Sequence, residues 1–324
     1  MRLSRQQFLA GLLSLPLGGR ALAQTNTDRQ PIRLILSTSP GGGADTSTRL
    51  IAPLLTELLG GQSIVIESRS GGAGLIAGGV VAREAPDGHT FLVDITTHSV
   101  NPALKRPMPY KVLQDLVPVT QIVQGANVLV VHPSLQVNSL SDFVALAKER
   151  KGTLSYASSG SGSAQHLAME MFKARTELEM THVPYRGGGP ALIDLVSGHV
   201  QAFFAFIPTA APHISDGKIK ALATTGSSRA QSMPNLPTIA ESGYPGFESY
   251  DWNGIFAPAG TPDSAIRRLQ AAVAEALKNS NLRQRLADIG MEPVGSTPED
   301  FRAFIERQIA MYSDIVQRLG LKVE

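Results

Sequence analysis

Four times along this chain a short apolar run, rich in β-branched residues, leads into a glycine- or serine-rich loop and then into residues at helical spacing. In the first unit, Ile32-Arg33-Leu34-Ile35-Leu36 precedes the loop Thr38-Ser39-Pro40-Gly41-Gly42-Gly43-Ala44-Asp45. Leu50, Ile51, Leu54, Leu55, Leu58 and Leu59 then share one helical face that Gly60-Gly61 closes. The second runs from Ser63-Ile64-Val65-Ile66-Glu67 through Gly71-Gly72-Ala73-Gly74 into a helix of small residues, and Thr90-Phe91-Leu92-Val93-Asp94 follows as a strand. The third joins Leu154-Ser155-Tyr156-Ala157-Ser158 to a helix with Ala164, Leu167, Ala168, Met171 and Phe172 on one face. The fourth joins Met180 to Pro184 to a helix that starts at Pro190, after Gly187-Gly188-Gly189, and runs to Val196. Such alternation commits the chain to α/β layers with mostly parallel strands, because a helical crossover returns the next strand in the same direction.

At 324 residues the chain is long enough for two cores. Val119 to Val131 reads as a strand, a fresh α/β series opens with the helical period of Leu140 to Ala147, and Val200 to Phe206 and Ile219 to Ala223 supply further strands. Pro234 to Pro245 is rich in turn residues, and Pro262 to Leu277, Asn281 to Ile289 and Pro298 to Leu319 read as three helices that cover the first domain. The expected division is a discontinuous lobe over 24–124 and 246–324 and a second over 125–245. Two crossings then leave a cleft between the lobes, a preferred place for a small-molecule site.

The first 23 residues read as an export signal: Arg2 and Arg5, an apolar stretch from Phe8 to Leu17 too short to span a bilayer, and a small-x-small site at Ala21-Leu22-Ala23. Ser4-Arg5-Gln6-Gln7-Phe8-Leu9 approximates a twin-arginine signal but lacks the second arginine, which favours export of the unfolded chain. The 29 basic and 27 acidic residues give +2, and loss of Arg2, Arg5 and Arg20 leaves 26 against 27. A nearly neutral chain with no basic stripe is a poor partner for nucleic acid or an anionic membrane surface. The absence of cysteine excludes disulfides, thiolate metal sites and a lipidated cysteine. A periplasmic monomer, not inserted in the membrane and carrying no cofactor, is expected.

Several loops can carry chemistry. The 38–45 loop follows a strand and opens a helix, so its free N–H groups and the helix dipole favour an anion, although Asp45 also suits a helix cap. It is not a P-loop, since no Lys-Ser/Thr pair follows the glycines. Ser158-Ser159-Gly160-Ser161-Gly162-Ser163-Ala164-Gln165-His166 has the same context in the other half. If both loops face one cleft, two helix starts can hold the two ends of a dianion. The serine loop does not match the nucleophile elbow G-x-S-x-G, so a hydrolase built on Ser161 is a distant alternative. Thr96 and Thr97, after the third strand, offer hydroxyls, while His98 reads as a hydrogen-bonded loop residue. Gly72-Ala73-Gly74-Leu75-Ile76-Ala77 matches G-x-G-x-x-A with Asp94 downstream, so an exported dinucleotide-dependent oxidoreductase is the competing hypothesis. None of the seven histidines pairs with another at i, i+4; His166 with Glu170 reads as a solvated or capping contact, and Trp252 as packing or cleft wall.

Pro40-Gly41-Gly42-Gly43-Ala44-Asp45, Ala85-Pro86-Asp87-Gly88, Tyr156-Ala157-Ser158-Ser159-Gly160, His182-Val183-Pro184-Tyr185-Arg186-Gly187-Gly188, Ala257-Pro258-Ala259-Gly260-Thr261-Pro262 and Glu292-Pro293-Val294-Gly295, in this order, resemble the Bug family of solute-binding proteins of tripartite tricarboxylate transporters. The resemblance implies a two-lobed periplasmic binding protein of type II, a Venus flytrap that encloses a di-, tri- or aromatic carboxylate and delivers it to membrane transporter subunits or a sensor kinase. It implies one carboxylate near Thr38, Ser39, Gly42, Ala44 and Asp45, the opposite end near Ser158, Gly160, Ser161, Ser163 and His166, and Thr96 and Thr97 along the side. Ser37-Thr38 departs from an aromatic often found there. Phe206 stands where amino-acid binders carry an acid, which implies a ligand that bears no ammonium group and has an apolar or aromatic midsection.

Overall fold

The computed structural model describes residues 30–185 and 187–320. The expected signal segment over 1–23 lies outside the described residues, as does Arg186. In chain order the first half comprises β1 (Ile32–Leu36), α1 (Gly43–Leu58), β2 (Ile64–Ser68), a single 3₁₀ turn at Gly72–Gly74, α2 (Leu75–Val81), β3 (Thr90–Ile95) and α3 (Thr97–Ala103). The long β4 (Leu116–Val131) leads to α4 (Leu140–Glu149), β5 (Ser155–Ser158), α5 (Ala164–Thr176), β6 (Thr181–Pro184), α6 (Gly188–Val196), β7 (Ala202–Phe206), α7 (Ile207–Ser215) and β8 (Lys220–Thr224). After a turn-rich stretch come β9 (Tyr250–Pro258), α8 (Asp263–Ala276), α9 (Ser280–Asp288), β10 (Glu292–Pro293) and α10 (Pro298–Leu319).

The strands form one mixed sheet in the order β2-β1-β3-β9-β4-β7-β5-β6, with β8 and β10 also paired to β4. β1 is parallel to β2 and β3, and β5 to β6 and β7, as the helical crossovers require. The connecting strands run antiparallel to these. β4, at 16 residues, changes partners along its length: Leu116 to Ala126 pair with β9, while Asn127 to Val131 pair with β7 and Val128 to Val131 with β8. β9 starts at Tyr250, opposite Ala126, so the chain passes between the two groups of strands twice on neighbouring paired strands.

Both faces of each group are covered. In the first, Leu34, Leu36, Phe91 and Val93 pack against Ile51 and Leu55 of α1 and against Leu269, Val273 and Leu286 of the tail helices. Their sequence neighbours Ile35 and Leu92 point the other way, onto Ala77, Val81, Phe301 and Ile305. In the second, Leu129 and Val131 join Phe143 and Phe172, while Val128 and Val130 join Leu192 and Leu195. Such two-sided burial is why these strands read as continuous apolar runs rather than alternating ones.

Three elements depart from the sequence pattern. α3 (Thr-His-Ser-Val-Asn-Pro-Ala) and α7, with Pro208 at its start and Pro212 within it, are dominated by proline, β-branched and turn-favouring residues and are held by packing. β9 contains Asp251, Asn253 and Gly254, poor strand formers whose preference is overridden by pairing with β4 and, for Asn253 and Gly254, with β3 as well. Gly254 makes room for Phe301, whose ring would lie 2.2 Å from a Cβ there. α10 also does more than cover the first group. At 22 residues it is about 33 Å long, and its Tyr312 packs with Val100 and Ala103 of α3 and Leu167 of α5 in a cluster joining both halves.

Candidate functional site

A cavity of about 620 Å³ opens where the C-terminal ends of β1, β3, β5 and β7 converge, the expected place for a site in a parallel α/β arrangement and of ordinary size for a small solute. Of the residues singled out from sequence, Thr38, Gly42, Ala44, Thr96, Thr97, Gly160, Ser161, Ser163 and Phe206 line it, drawn from both halves. Ser39, Asp45, Ser158 and His166 do not.

The local chemistry explains the division. Gly41, at φ +81°, turns its N–H back onto Asp45 Oδ2 at 2.9 Å, and Arg49 Nε donates to Asp45 Oδ1 at 2.8 Å. That guanidinium holds the Asp45 carboxyl below its ordinary range, so the side chain braces the loop from behind. α1 has Gly42 as its N-cap and no side-chain cap, which leaves the first amides of the helix, Gly43 and Ala44, at the cavity wall. Thr38 Oγ1 and Thr97 Oγ1 are buried and have no hydrogen-bond partner among the described residues, whereas Thr96 Oγ1 accepts from Trp252 N at 3.1 Å.

In the second half, Ser163 caps α5 by accepting from His166 N at 3.2 Å, and Gly162 N donates to His166 Nδ1 at 3.0 Å. His166 therefore presents Nδ1 as an acceptor and is a neutral imidazole. Its ring stacks on His182 at 3.9 Å, and His182 Nε2 is hydrogen-bonded to Ser158 Oγ at 2.6 Å. Burial, then the proximity of His166, pushes His182 down to about 4, and burial likewise lowers His166. Ser158 Oγ also bonds both backbone groups of Gly160. Ser158, His166 and His182 are thus the frame behind the serine loop. The expected solvated contact between His166 and Glu170 is replaced by a buried one: the Glu170 carboxylate accepts from Tyr156 Oη and from Lys173 Nζ. His98 is not a loop residue; it is fully buried in α3, with Nδ1 2.9 Å from Asp94 Oδ2.

Residues that sequence reasoning did not select also line the cavity. Gly188 and Gly189 begin α6, and Gln124, Asp251 and Asn253 come from the crossing strands β4 and β9, where Trp252, read from sequence as packing or cleft wall, is buried and also lines the cavity. Gln165 Nε2 donates to Asp251 Oδ2 at 2.7 Å, joining α5 to β9. Burial pushes Asp251 up to about 6, partly offset by the Asn127 amide. Phe206 reaches from β7 towards the start of α1, where its ring would lie 3.4 Å from a Cβ on Gly43. Arg106 donates to Asn101 Oδ1 and to the Ser161 carbonyl, both at 3.1 Å, tying the α3 end to the serine loop. Among the described lining residues no side chain is cationic, so an anion is met by amides, hydroxyls and helix dipoles.

Gly72–Gly74 has a different local explanation from a dinucleotide fingerprint. Gly74, at φ +90°, lies against Asp94, whose Oδ1 would be 2.9 Å from an added Cβ. Asp94 itself is occupied by Ile95 N and His98. Among the described residues no group of three His, Asp or Glu side chains is placed to hold a metal ion, and no helix is long and apolar enough to cross a membrane.

Residues 48–321 match the model of the tripartite tricarboxylate transporter family receptor. The chain belongs to this family. A further member, protein BugT of Bordetella pertussis, is 35% identical over the full length of both chains. Among solved structures, an R. palustris protein with adipate is 37% identical, covering 90% of this chain and 97% of that one at a TM-score of 0.82. MatC from Rhodopseudomonas palustris with bound malate is 33% identical, covering 89% and 99% at 0.77. The receptor-family fold is therefore that of periplasmic binding proteins, and the similar proteins are solute-binding receptors.

Proposed function

We propose that this receptor-family protein is exported to the periplasm, closes two lobes, 24–124 with 246–324 and 125–245, over a small organic carboxylate, and presents it to the membrane subunits of a tripartite transporter. Binding, not chemistry, is its task. The observation that carries this reading is the cavity lining: helix starts from both halves, α1 on one side and α5 and α6 on the other, meet at one pocket whose described residues include no cationic side chain. Amide and hydroxyl donors neutralise a carboxylate without the strength of an ion pair, which suits capture followed by release. The adipate and malate held by the similar R. palustris proteins fall in the same chemical class. Thr38, Gly42, Gly43 and Ala44 are assigned to one carboxylate, and Gly160, Ser161, Ser163 and Gln165 to the other end.

Calorimetric titration of refolded, ligand-stripped protein with di-, tri- and aromatic carboxylates tests the binding step, and absence of heat with every member of the panel would sink it. Uptake of the bound carboxylate into vesicles bearing the membrane subunits, with and without this protein, tests delivery.

A further inference from the structure

Ala73 and Ser161 line the cavity from different halves, and three hydrogen bonds connect them through two side chains that do not line it. Asn101 Nδ2 donates to the Ala73 carbonyl at 2.9 Å, Arg106 Nη1 donates to Asn101 Oδ1 at 3.1 Å, and Arg106 Nη2 donates to the Ser161 carbonyl at 3.1 Å. Both ends need holding. Ala73 has φ +53° and ψ +41°, a left-handed conformation that costs free energy in a residue with a Cβ. The Ser161 carbonyl shares its peptide with Gly162 N, which donates to His166 Nδ1 at 3.0 Å, so this peptide is gripped from both halves. The approach is close: a Cβ on Gly162, at φ +77°, would lie 2.6 Å from Leu104 Cδ1 and 3.3 Å from Arg106 Nη2.

The links of this row differ in environment. Asn101 is 1% exposed, so breaking its bond to Ala73 would leave a buried amide without its acceptor. Arg106 is half-buried and no acid forms an ion pair with it among the described residues. A guanidinium placed for stability alone gains most from a carboxylate, whereas this one has a peptide carbonyl of the other half as its acceptor. Water can take the place of that carbonyl at small cost. We propose that Asn101 and Arg106 are positioning residues that latch the cleft: buried Asn101 fixes Arg106 to the first half, and the bond from Arg106 to Ser161 is the link that opens when the halves part and a bound carboxylate leaves. Neither side chain touches the guest. This rests on the carboxylate-binding reading above and adds to it the residues that set how long the guest stays.

The test separates dissociation from association. Ligand-stripped protein is mixed with malate, adipate and the other carboxylates of the calorimetric panel in a stopped-flow instrument and followed through Trp252, the single tryptophan, which lines the cavity. Calorimetry supplies the equilibrium affinities. Arg106→Ala is expected to speed dissociation about 5-fold and to keep the association rate within about 2-fold of wild type, as loss of a contact that holds a formed complex does. Arg106→Lys keeps the charge but not the planar fork that serves two acceptors, and is expected to dissociate about 3-fold faster than wild type. Asn101→Ala acts through Arg106, so the double variant is expected to dissociate no more than about 2-fold faster than the faster single variant. Should Asn101→Ala not fold, the two Arg106 variants decide. Slower association in Arg106→Ala that fades in salt, with full recovery in Arg106→Lys, overturns the latch and makes Arg106 a steering charge. Single effects that multiply in the double variant overturn the relay through Asn101. Unchanged rates and affinity in Arg106→Ala overturn the inference while leaving the carboxylate reading standing. Absence of binding of every carboxylate by the wild-type protein overturns both.

Discussion

The stacked imidazoles behind the serine loop and the acid on β9 make opposite demands on the pH-dependence of stability, and their separate contributions can be measured. His182 is held at about 4 against an ordinary 6.5. The folded protein therefore binds fewer protons than the unfolded chain between those values. Its contribution is fully present above pH 6.5 and is lost as the pH falls towards 4. The difference corresponds to roughly 3 kcal/mol at 1.36 kcal/mol per unit, and the partial exposure of the ring brings it to about 2 kcal/mol. Asp251 is raised from 3.8 to about 6, so the folded state binds more protons there and the contribution of this acid is lost as the pH rises through 6. Across pH 4.5 to 6.5 the two nearly cancel.

The perturbations are His182→Gln and Asp251→Asn, each in ligand-free protein, with thermal unfolding followed at pH 4.5 and 7. The informative quantity is the change in Tm between the two pH values, not Tm itself. Loss of the Ser158 hydrogen bond in His182→Gln lowers Tm at both pH values by a similar amount and drops out. At 2–4 °C per kcal/mol for a protein of this size, His182→Gln is expected to reduce the acid-induced drop in Tm by about 5 °C. Asp251→Asn is expected to enlarge it by a similar amount. An unchanged drop in His182→Gln refutes the burial reasoning, because it means that His182 titrates in the fold as it does in the unfolded chain.

Phe206→Ala removes a ring that β7 inserts against Gly125 of β4 and against Gly43 and Met291 of the other half. As the ring is only partly buried, about 2 kcal/mol of closure energy is expected to go, weakening carboxylate affinity on the order of 30-fold by calorimetry; a lowered Tm with unchanged affinity would place Phe206 in the core of its own half. Arg106→Ala cuts the bond to the Ser161 carbonyl and is expected to weaken binding about 5-fold while shifting Tm little, since one partly exposed charged hydrogen bond is worth roughly 1 kcal/mol. Gly74→Ala combines an unfavourable φ of +90° with a Cβ 2.9 Å from Asp94. It is expected to destabilise the fold by ~1–3 kcal/mol in denaturant unfolding, and dinucleotide retained by wild-type protein but lost from this variant would revive the oxidoreductase hypothesis.

How much of the fold could be read from sequence follows from where local and tertiary forces agree. β1, α1, β3 and the tail helices were legible because their periodicity, glycine stops and turn residues all point the same way. Even there Leu58, placed on the apolar face by spacing, is 45% exposed at the edge of α1. α3, α7 and β9 were illegible because their residues favour turns, and only pairing and packing hold them in regular structure. β9 matters most, since pairing with β4 along its whole length, joined by β3 from Asn253 onwards, imposes extended backbone on Tyr-Asp-Trp-Asn-Gly.

The same distinction governs the site. A glycine loop between a strand and a helix announces free amides, because the chemistry lies in the backbone and the sequence shows where the backbone is bare. The donor walls were therefore visible. The role of a side chain depends on what stands behind it. Asp45, Ser158 and His166 sit in the right loops, but Gly41 and Arg49 claim the first, Gly160 and His182 the second, and Gly162 the third. Conversely, Asp251 and Asn253 become cavity residues only because the start of β9 pairs with β4, which places this stretch at the junction of the two halves. A polar residue on either side of the single tryptophan is the one trace they leave in the sequence, and it acquires meaning once the strand is known. The free amides and hydroxyls of this pocket are thus a local property of its loops, whereas its acidic edge belongs to a strand whose existence is a property of the whole sheet.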